Sequence, residues 1–302
     1  MSTPRLLLLF GLPLLIVIVG ALVFVVPRMR PAPPDTEAAL AQLTSTGSCA
    51  KCDLRTAHLR EMTMADVDFK GAVLREADLK YARFTNADFS GADLQRAEME
   101  EGDFTGSTFS GAKLRNADME KGKAAGANFS DADMRNADFD ETDVKDTNFA
   151  GADMRDITMK RADLSGAVFE NAKLNDANLE RTAIQTADFS GADLTGADLD
   201  RTQGANASFI KANLTSARMS HADFSGARFN GATLKKATLQ RTRLSGADFT
   251  GASGLTQDML STACGDAETK LPKGLSRVHR RRAKYSCCAG HRYGRLRPRR
   301  LQ

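Results

Sequence analysis

The chain has 302 residues, of which 42% are hydrophobic and 26% charged, with four His and no Trp. Its net charge of +4 is uneven, because the last 26 residues hold ten Lys or Arg and no acid, which leaves −6 on the rest. The sequence contains no phosphate-binding loop, nucleophile elbow or dinucleotide fingerprint. We therefore expect neither an enzyme nor a bound cofactor or metal.

The first predicted element is a membrane-spanning helix over Leu6–Val26, within an anchor of residues 1–27. These 21 residues carry no charge, and as a helix they would extend about 31 Å, close to the hydrocarbon thickness of about 30 Å. A cleaved signal peptide is the alternative, with a cleavage site at Val19-Gly20-Ala21. Because the apolar run continues to Val26, we favour an uncleaved signal-anchor.

The orientation of this anchor is not decided by charge. Arg5 precedes the apolar segment, and Arg28 and Arg30 follow it, so the excess of positive charge on one side is small. The very short N-terminal tail favours a cytoplasmic N-terminus. We therefore expect a single-pass protein of a bacterial inner membrane, with the remainder of the chain in the periplasm.

Residues 28–48 are predicted to form a Pro-rich linker followed by a short helix. The stretch Asp35–Leu43 has helical character, with Asp35 as the N-cap. Leu40 and Leu43 would face the structure that follows. This helix is therefore expected to cover its first coil.

A CAKC motif follows at Cys49 and Cys52. Covalent haem attachment needs His after the second Cys, and Asp53 stands there. A structural zinc site needs two more ligands, and a redox pair needs a surrounding thioredoxin-like unit, neither of which the sequence offers. The favoured interpretation is a pair of cap cysteines able to form a disulfide in an oxidising compartment.

Residues 49–253 repeat with a period of five. From Leu54 to Phe249, 40 central positions follow one another without insertion or deletion, and all but Ala124 and Gly204 are large and apolar. The residue two places earlier is small, usually Ala. Because a helix repeats about every 3.6 residues and a strand at every second residue, this pattern predicts a chain that turns a corner at each pentapeptide.

Identical central residues recur at every fourth pentapeptide, which predicts four corners in each coil. Every twentieth residue from Phe69 to Phe249 is Phe, and every twentieth residue from Leu54 to Leu234 is Leu or Met. About ten coils would form an all-β, four-sided solenoid roughly 50 Å long, since neighbouring strands lie about 4.8 Å apart.

Two further expectations concern the corners and the packing. Gly recurs two residues after the Phe column, as at Gly71, so that corner is expected to need a positive φ. Charged residues such as Glu61 recur after the Leu59 column, so that corner is expected to tolerate a Cβ. The Met64 column contains both Ala124 and Gly204 and is expected to be the least well packed.

A row of arginines spaced four pentapeptides apart, with one gap, is the candidate interaction surface. Asp residues on the same wall are expected to neutralise this row, so a balanced solvated face is the favoured interpretation. The row consists of Arg55, Arg75, Arg115, Arg135 and Arg155.

The end of the chain contains a predicted cap and a basic tail. Residues 254–275 predict a helical cap, with Thr256 as N-cap and Met259, Leu260 and Ala263 covering the last coil. Residues 276–302 form a basic tail, which is either solvated and disordered or able to bind nucleic acid or anionic lipid. A third alternative is translation from another reading frame, because the composition changes abruptly after Arg277.

The repeats ADLKY, ADLQR, ADFSG and ADLTG resemble the signature of the pentapeptide repeat family, and the ending LTQ…ACGD…TKLPKGL resembles its C-terminal cap. The resemblance implies a right-handed four-sided β-solenoid. With the apolar N-terminal segment and the lack of catalytic motifs, we expect a non-enzymatic, membrane-anchored scaffold for an unidentified protein partner. The alternative is a DNA-mimicking rod that binds or protects DNA gyrase, which a dense acidic stripe would favour.

Overall fold

A ladder of parallel backbone bridges joins residues 48–270 into a four-sided β-solenoid. The computed structural model describes residues 15–19, 22–26 and 34–276. Each bridge between Ser48 and Ser253 connects a residue to its equivalent four pentapeptides later, so four pentapeptides make one coil. We number the coils from Asp53, which makes coil 1 residues 53–72 and coil 4 residues 113–132.

Regular helices and strands are short in this fold. Helix α1 spans Pro34–Thr46 and helix α2 spans Gln257–Ser261. Strands β1 (Leu15–Val19) and β2 (Leu22–Val26) form an antiparallel pair before the solenoid. Strands β3 (Thr63–Ala65) and β4 (Arg83–Thr85) are parallel neighbours within it, and the other described walls are built from single bridges.

The coils have four walls, which we name in chain order. In coil 1, wall A contains residues 53–55, wall B 58–60, wall C 63–65 and wall D 68–70, and each wall recurs once in every coil. Backbone hydrogen bonds join adjacent coils on every wall, for example from Leu54 N to Val73 O at 2.8 Å and from Val73 N to Cys52 O at 2.9 Å. The walls are therefore continuous sheets along the axis.

The interior is filled by the predicted columns. Central residues and the small residues two places earlier are almost all buried from coil 1 to coil 10. The Phe column of wall D stacks ring on ring, with centroids 4.5 Å apart between Phe109 and Phe129 and 4.6 Å apart between Phe229 and Phe249. Such offset and edge contacts add stabilisation beyond the buried area.

All four corners use the left-handed backbone region. Every corner residue from Lys51 to Gly251 has φ between 54° and 73°, including Glu61 and Glu101 after the Leu59 column. A turn bond, such as Ala57 N to Leu54 O at 3.1 Å, closes most corners. The corner after the Leu59 column tolerates a Cβ, as expected, but it does so at positive φ and not through a different type of turn.

Gly204 does not leave a hole in the wall C column. A Cβ at this position would lie 2.6 Å from the ring of Phe224 and 3.2 Å from Ile184, so these neighbours already occupy the space. Ala124 is likewise fully buried. Gly204 leaves no gap because the residue one coil later, Phe224, is large where this one is small, and the relative packing of the four columns stays a prediction.

Both ends of the solenoid are covered by helices. Helix α1 begins at Pro34, so Asp35 lies inside the helix and is not its N-cap, and Leu43 is buried against the first coil. Pro suits this first position because its missing N–H would have no helical partner there. At the other end Thr256 caps α2 by accepting a hydrogen bond from Met259 N, as predicted, and Leu260 and Ala263 are buried.

The N-terminal segment contains strands where the sequence predicted a helix. Leu15–Val19 and Leu22–Val26 pair antiparallel, so a continuous helix to Val26 is wrong. The sequences LIVIV and LVFVV are rich in β-branched residues, which favour strands. Residues 6–14 lie outside the described residues. No helix in the part of the chain that the structure describes is long and apolar enough to cross a bilayer.

Candidate functional site

Each wall presents two rows of outward side chains, one before and one after the buried central residue. The first row often carries Asp or Asn, whose Oδ1 accepts a hydrogen bond from the backbone N–H two residues later. Glu120 N donates to Asp118 at 3.0 Å, and Ser130 N donates to Asn128 at 3.0 Å. The Asp or Asn of repeats such as ADLQR and ADFSG thus has a structural role, because its side chain closes a local turn with the backbone.

Wall A brings the predicted arginine row together as a line of neighbouring ion pairs. Arg75 Nε lies 2.7 Å from Asp93, and Arg155 forms a forked pair with Asp153 at 2.8 and 2.7 Å. All five arginines have an Asp partner on this wall, namely Arg55 with Asp53, Arg75 with Asp93, Arg115 and Arg135 with Asp133, and Arg155 with Asp153.

The ion pairs of wall A change the titration of its carboxylates. Hydrogen bonds from Arg135, and then from Arg115, lower the pKa of Asp133 to about 2 although partial burial opposes them. Arg155 lowers the pKa of Asp153 in the same way. A cavity of about 330 Å³ lies on this wall over Val73, between the Arg55 and Arg75 pairs. Each arginine of the wall A row is thus paired with an acid on the same wall.

Wall B carries a concentration of acids in coils 3–5 that the sequence analysis did not recognise. The outward rows and the corner residue of these three coils hold eight acids and one base, Lys121. We call these eight acids the acidic patch. They are Glu98, Glu100, Glu101, Asp118, Glu120, Asp138, Asp140 and Glu141.

Cations reach this patch mainly at its edges. Lys80 in coil 2 contacts Glu100 at 2.8 Å, and Lys160 in coil 6 contacts Asp140 at 3.0 Å. Within the patch Lys121 pairs with Glu120 at 2.7 Å. Asp118 and Asp138, at the centre, form no ion pair with a described residue.

The centre of the patch is electrostatically unfavourable for ionised carboxylates. Burial raises the pKa of Asp118, and the negative charges of Glu100, Asp138 and Glu120 raise it further. Burial also raises the pKa of Asp138, with Asp140 and Glu120 adding to the effect. A cationic ligand at this surface would relieve that repulsion.

Walls C and D provide less charged surfaces. On wall D in coils 3–5, Ser110 and Ser130 are hydrogen bonded at 3.0 Å, and Asn148 donates to Asn128 at 3.1 Å. On wall C a shallow cavity of about 230 Å³ is lined by residues including Gln203 and Ala205. Hydroxyls and amides that bond along the axis stiffen these walls without adding charge.

The two cysteines of the CAKC motif are joined by a disulfide beside the first coil. Cys49 is fully buried under helix α1 and Cys52 is half-buried. Within the residues that the structure describes, no group of three His, Cys, Asp or Glu is placed to hold a metal ion. The basic tail beyond Ser276 lies outside the described residues.

Two family profiles match the repeats. The profile described as Pentapeptide repeat region matches residues 92–169. The profile described as Pentapeptide repeats (8 copies) matches residues 52–91, 162–201, 187–226 and 212–251. Together these matches extend over residues 52–251, and no curated protein matches the chain.

Several solved structures are similar. HetL, a pentapeptide repeat protein involved in heterocyst differentiation regulation from the cyanobacterium Nostoc, is 23% identical, with 80% of this chain and 98% of that chain covered and a TM-score of 0.42. QnrB1, a plasmid-mediated fluoroquinolone resistance protein, is 19% identical over 70% and 92% of the two chains, with a TM-score of 0.34. A protein of the Arabidopsis thaliana thylakoid lumen is 29% identical over 37% and 68%, with a TM-score of 0.16.

Proposed function

The chain belongs to the pentapeptide repeat family, and from that premise we propose that it is a non-enzymatic scaffold that binds a protein partner on one wall of a rod attached to a membrane. Apolar columns fill the rod from Leu54 to Phe249. Recognition therefore falls to the outward rows. Each row places its side chains at the strand spacing of about 4.8 Å, so a rigid partner can be matched in register.

The observation that carries this proposal is the segregation of charge between neighbouring walls. Wall A neutralises its Arg row internally, whereas wall B keeps Asp118 and Asp138 without an ion pair in the described chain. A purely structural rod has no need for such a difference, because both walls cover the same kind of interior. Different walls are therefore suited to different neighbours.

A photo-cross-linking residue on each wall tests the scaffold function in cells. The substitutions Lys113, Glu120, Lys123 and Ser130 each to p-benzoylphenylalanine place the probe on walls A to D of coil 4, and the same rows of coil 8 give a second set. We expect one protein to be cross-linked from one wall, identified by mass spectrometry, while the other walls serve as matched controls. Absence of a wall-specific product in both coils would refute the proposal.

Membrane attachment rests on the apolar N-terminal segment. Residues 6–26 carry no charge, which supports insertion into a bilayer. Since β1 (Leu15–Val19) and β2 (Leu22–Val26) lie within this segment, the proposal concerns the segment and not a spanning helix. We propose that the rod lies in the periplasm and is attached to the inner membrane of a bacterium. The oxidising environment of the periplasm suits the Cys49–Cys52 disulfide.

Fractionation and labelling test the attachment and the compartment separately. The full chain is expected to stay with the membrane pellet after alkaline extraction, and a chain found in the supernatant would contradict attachment. The variant Lys113→Cys exposes a thiol on wall A, because Lys113 is exposed. Labelling in spheroplasts by an impermeant maleimide supports the periplasm, whereas labelling only after permeabilisation excludes it. The unsubstituted chain is the control.

The second candidate function is that of a DNA-mimicking rod that binds DNA gyrase. The acidic patch is the observation in its favour, since wall B has a dense acidic surface instead of evenly mixed charge. The patch covers three coils, about 14 Å of the axis, whereas DNA carries charge along its whole length. Binding of purified gyrase to the full chain, lost in Asp118→Asn/Asp138→Asn, would support this candidate, and unchanged binding would count against the patch.

A further inference from the structure

The acidic patch of wall B faces solvent with more negative charge than the described chain neutralises. Eight acids and one base occupy nine positions in coils 3–5, a local net charge of −7. Lys80, Lys160 and Arg161 approach from the neighbouring coils, and each is already paired with an acid of the patch. The acids of the patch that form no ion pair with a described residue are Glu101, Asp118 and Asp138, and these are the open partners for a further cationic group.

A second observation points to a donor at the same place. Glu100 accepts the ammonium of Lys80 at Oε1, while its other oxygen, Oε2, is buried without a hydrogen-bond donor in the described chain. A buried acceptor without a partner is unfavourable, by more when the group is charged. One carboxylate oxygen of the patch, in coil 3, therefore lacks a hydrogen-bond donor in the described chain.

The sequence of the same chain supplies a cationic segment of suitable composition. Arg277–Gln302 contains nine Arg, one Lys and no acid in 26 residues. Guanidinium groups bind carboxylates with two parallel hydrogen bonds and remain charged at any physiological pH. This composition complements a surface built from rows of carboxylates.

The segment is also long enough to reach the patch. The described chain ends at Ser276, which is held against the C-terminal cap by two hydrogen bonds with Gln257, at 2.9 and 3.3 Å. About seven coils separate this cap from the middle of the patch, roughly 34 Å at the strand spacing. An extended 26-residue chain spans about 86 Å. Covalent connection also gives the segment a millimolar effective concentration at the wall, which an external basic protein lacks.

From these observations we propose that wall B in coils 3–5 is the docking surface for the basic C-terminal segment Arg277–Gln302 of the same chain. The arginines lie over the carboxylate rows and neutralise the centre of the patch. The contact buries the surface that would otherwise attract basic partners, so the segment and such partners compete for it. This inference does not depend on the identity of the protein partner proposed above.

Photo-cross-linking from the tail tests the contact directly. Leu296 lies between Arg295 and Arg297, and Leu296→p-benzoylphenylalanine in the full chain, purified in a mild detergent, places the probe within the basic run. We expect the main product to join residue 296 to peptides of wall B in coils 3–5. A mixture of isotopically labelled and unlabelled chains distinguishes contacts within one chain from contacts between two copies.

A matched pair of triple variants tests the charge dependence. Glu98→Gln/Asp118→Asn/Asp138→Asn removes three charges from the first outward row of wall B, and we expect the cross-linking yield to fall about fivefold, the scale of three exposed ion pairs. Asp103→Asn/Asp143→Asn/Asp163→Asn removes three charges from the same row of wall C and is expected to leave the yield unchanged. Thermal unfolding by circular dichroism confirms that both variants are folded.

Three outcomes would overturn the proposal. They are a main product on another wall, a main product between two chains, and equal yields in the two triple variants. The yield must also fall in 1 M salt, where the screening length is about 3 Å. The scaffold test remains distinguishable, because its readout is a product with a second protein, whereas a product between residue 120 and the tail lies within one chain.

Discussion

Walls A and B of coil 5 present the same residue in the same backbone position and give it opposite properties. Asp133 and Asp138 each precede a buried central residue, and they lie one pentapeptide apart. Two arginines lower the pKa of Asp133 to about 2, whereas burial and neighbouring acids raise that of Asp138. The backbone repeat is thus indifferent to charge, and the outward side chains of the same and the preceding coil decide whether the pKa of an aspartate is lowered or raised.

The largest expected effect on stability comes from the buried central residues, and it tests whether walls A and B are packed alike in the interior. Leu114→Ala on wall A and Met119→Ala on wall B each remove a fully buried central side chain. We expect both to lower the free energy of unfolding by about 2–5 kcal/mol, and by similar amounts, because the interior is continuous. Urea unfolding of the full chain in detergent measures both values. A much smaller loss on one wall would mean that the two walls are not packed alike.

Smaller effects on stability are expected for the outward aspartates, and their signs should be opposite on walls A and B. Asp133→Asn removes the partner of Arg115 and Arg135 and is expected to destabilise the rod by about 1 kcal/mol at pH 7. Asp138→Asn keeps the acceptor for Asp140 N while removing repulsion, so it should stabilise by a few tenths of a kcal/mol. Urea unfolding of both variants gives the signs. Equal signs would contradict the comparison.

Acid should erase this difference in two steps. The pKa of Asp133 is lowered from 3.8 to about 2, so its stabilisation is complete above pH 3.8 and disappears as the pH falls through 2. The pKa of Asp138 is raised, so its penalty belongs to the ionised form and disappears as the pH falls through its folded value towards 3.8. Unfolding series at pH 7, 5, 3 and 2 check this. At pH 3 the Asp133→Asn cost should persist while the Asp138→Asn gain is gone.

The smallest effect concerns the corner beside the patch. Lys121 has a φ of 57°, which costs an L-residue more than Gly. Lys121→Gly is expected to change stability by less than about 1 kcal/mol, because relief of strain is offset by the greater entropy of Gly in the unfolded chain. A matched substitution, Gly111→Ala on the corner of wall D, should destabilise. A stabilising Gly111→Ala would show that the corners tolerate Cβ more easily than their φ values indicate.

The interior of this fold was predictable because its period is strict. Phe recurs at every twentieth residue from Phe69 to Phe249 without exception. A side chain that must fill the same space in each coil is of the same residue type in each coil. The neutral character of the Arg row was also predictable, since Asp53, Asp133 and Asp153 accompany it at a fixed offset. These features depend on residues that are near one another in sequence or one coil apart.

The corners and the acidic patch were not predictable by the same reasoning. Glu61 and Glu101 suggested a turn of a type that tolerates a Cβ, but the closed coil imposes positive φ on every corner from Lys51 to Gly251 regardless of residue type. The patch combines the two outward rows and a corner of three coils, and a net charge summed along the chain conceals it. Recognising it requires sorting the acids by wall before adding them.

The N-terminal segment shows where composition misled the prediction. Length and lack of charge in residues 6–26 suggested a helix, whereas LIVIV and LVFVV are β-branched and pair as β1 and β2. Hydrophobicity alone does not distinguish the two, because a run of apolar residues is compatible with a buried strand as well as with a buried helix. Local β propensity was the signal that the prediction gave too little weight.

The unbroken step from coil to coil has a consequence for how such a chain can change its length in evolution. Removing one whole coil, such as residues 153–172, would leave every later residue on its own wall and shorten the rod by about 4.8 Å. Removing a single pentapeptide would turn everything beyond it by a quarter of a revolution. The Phe column would then continue into another wall, and charges that had been neighbours along the axis would face different directions. A surface on this rod is therefore preserved only when whole coils are gained or lost. Duplication of a coil extends an existing row, whereas duplication of one pentapeptide brings residues of different walls into a new row.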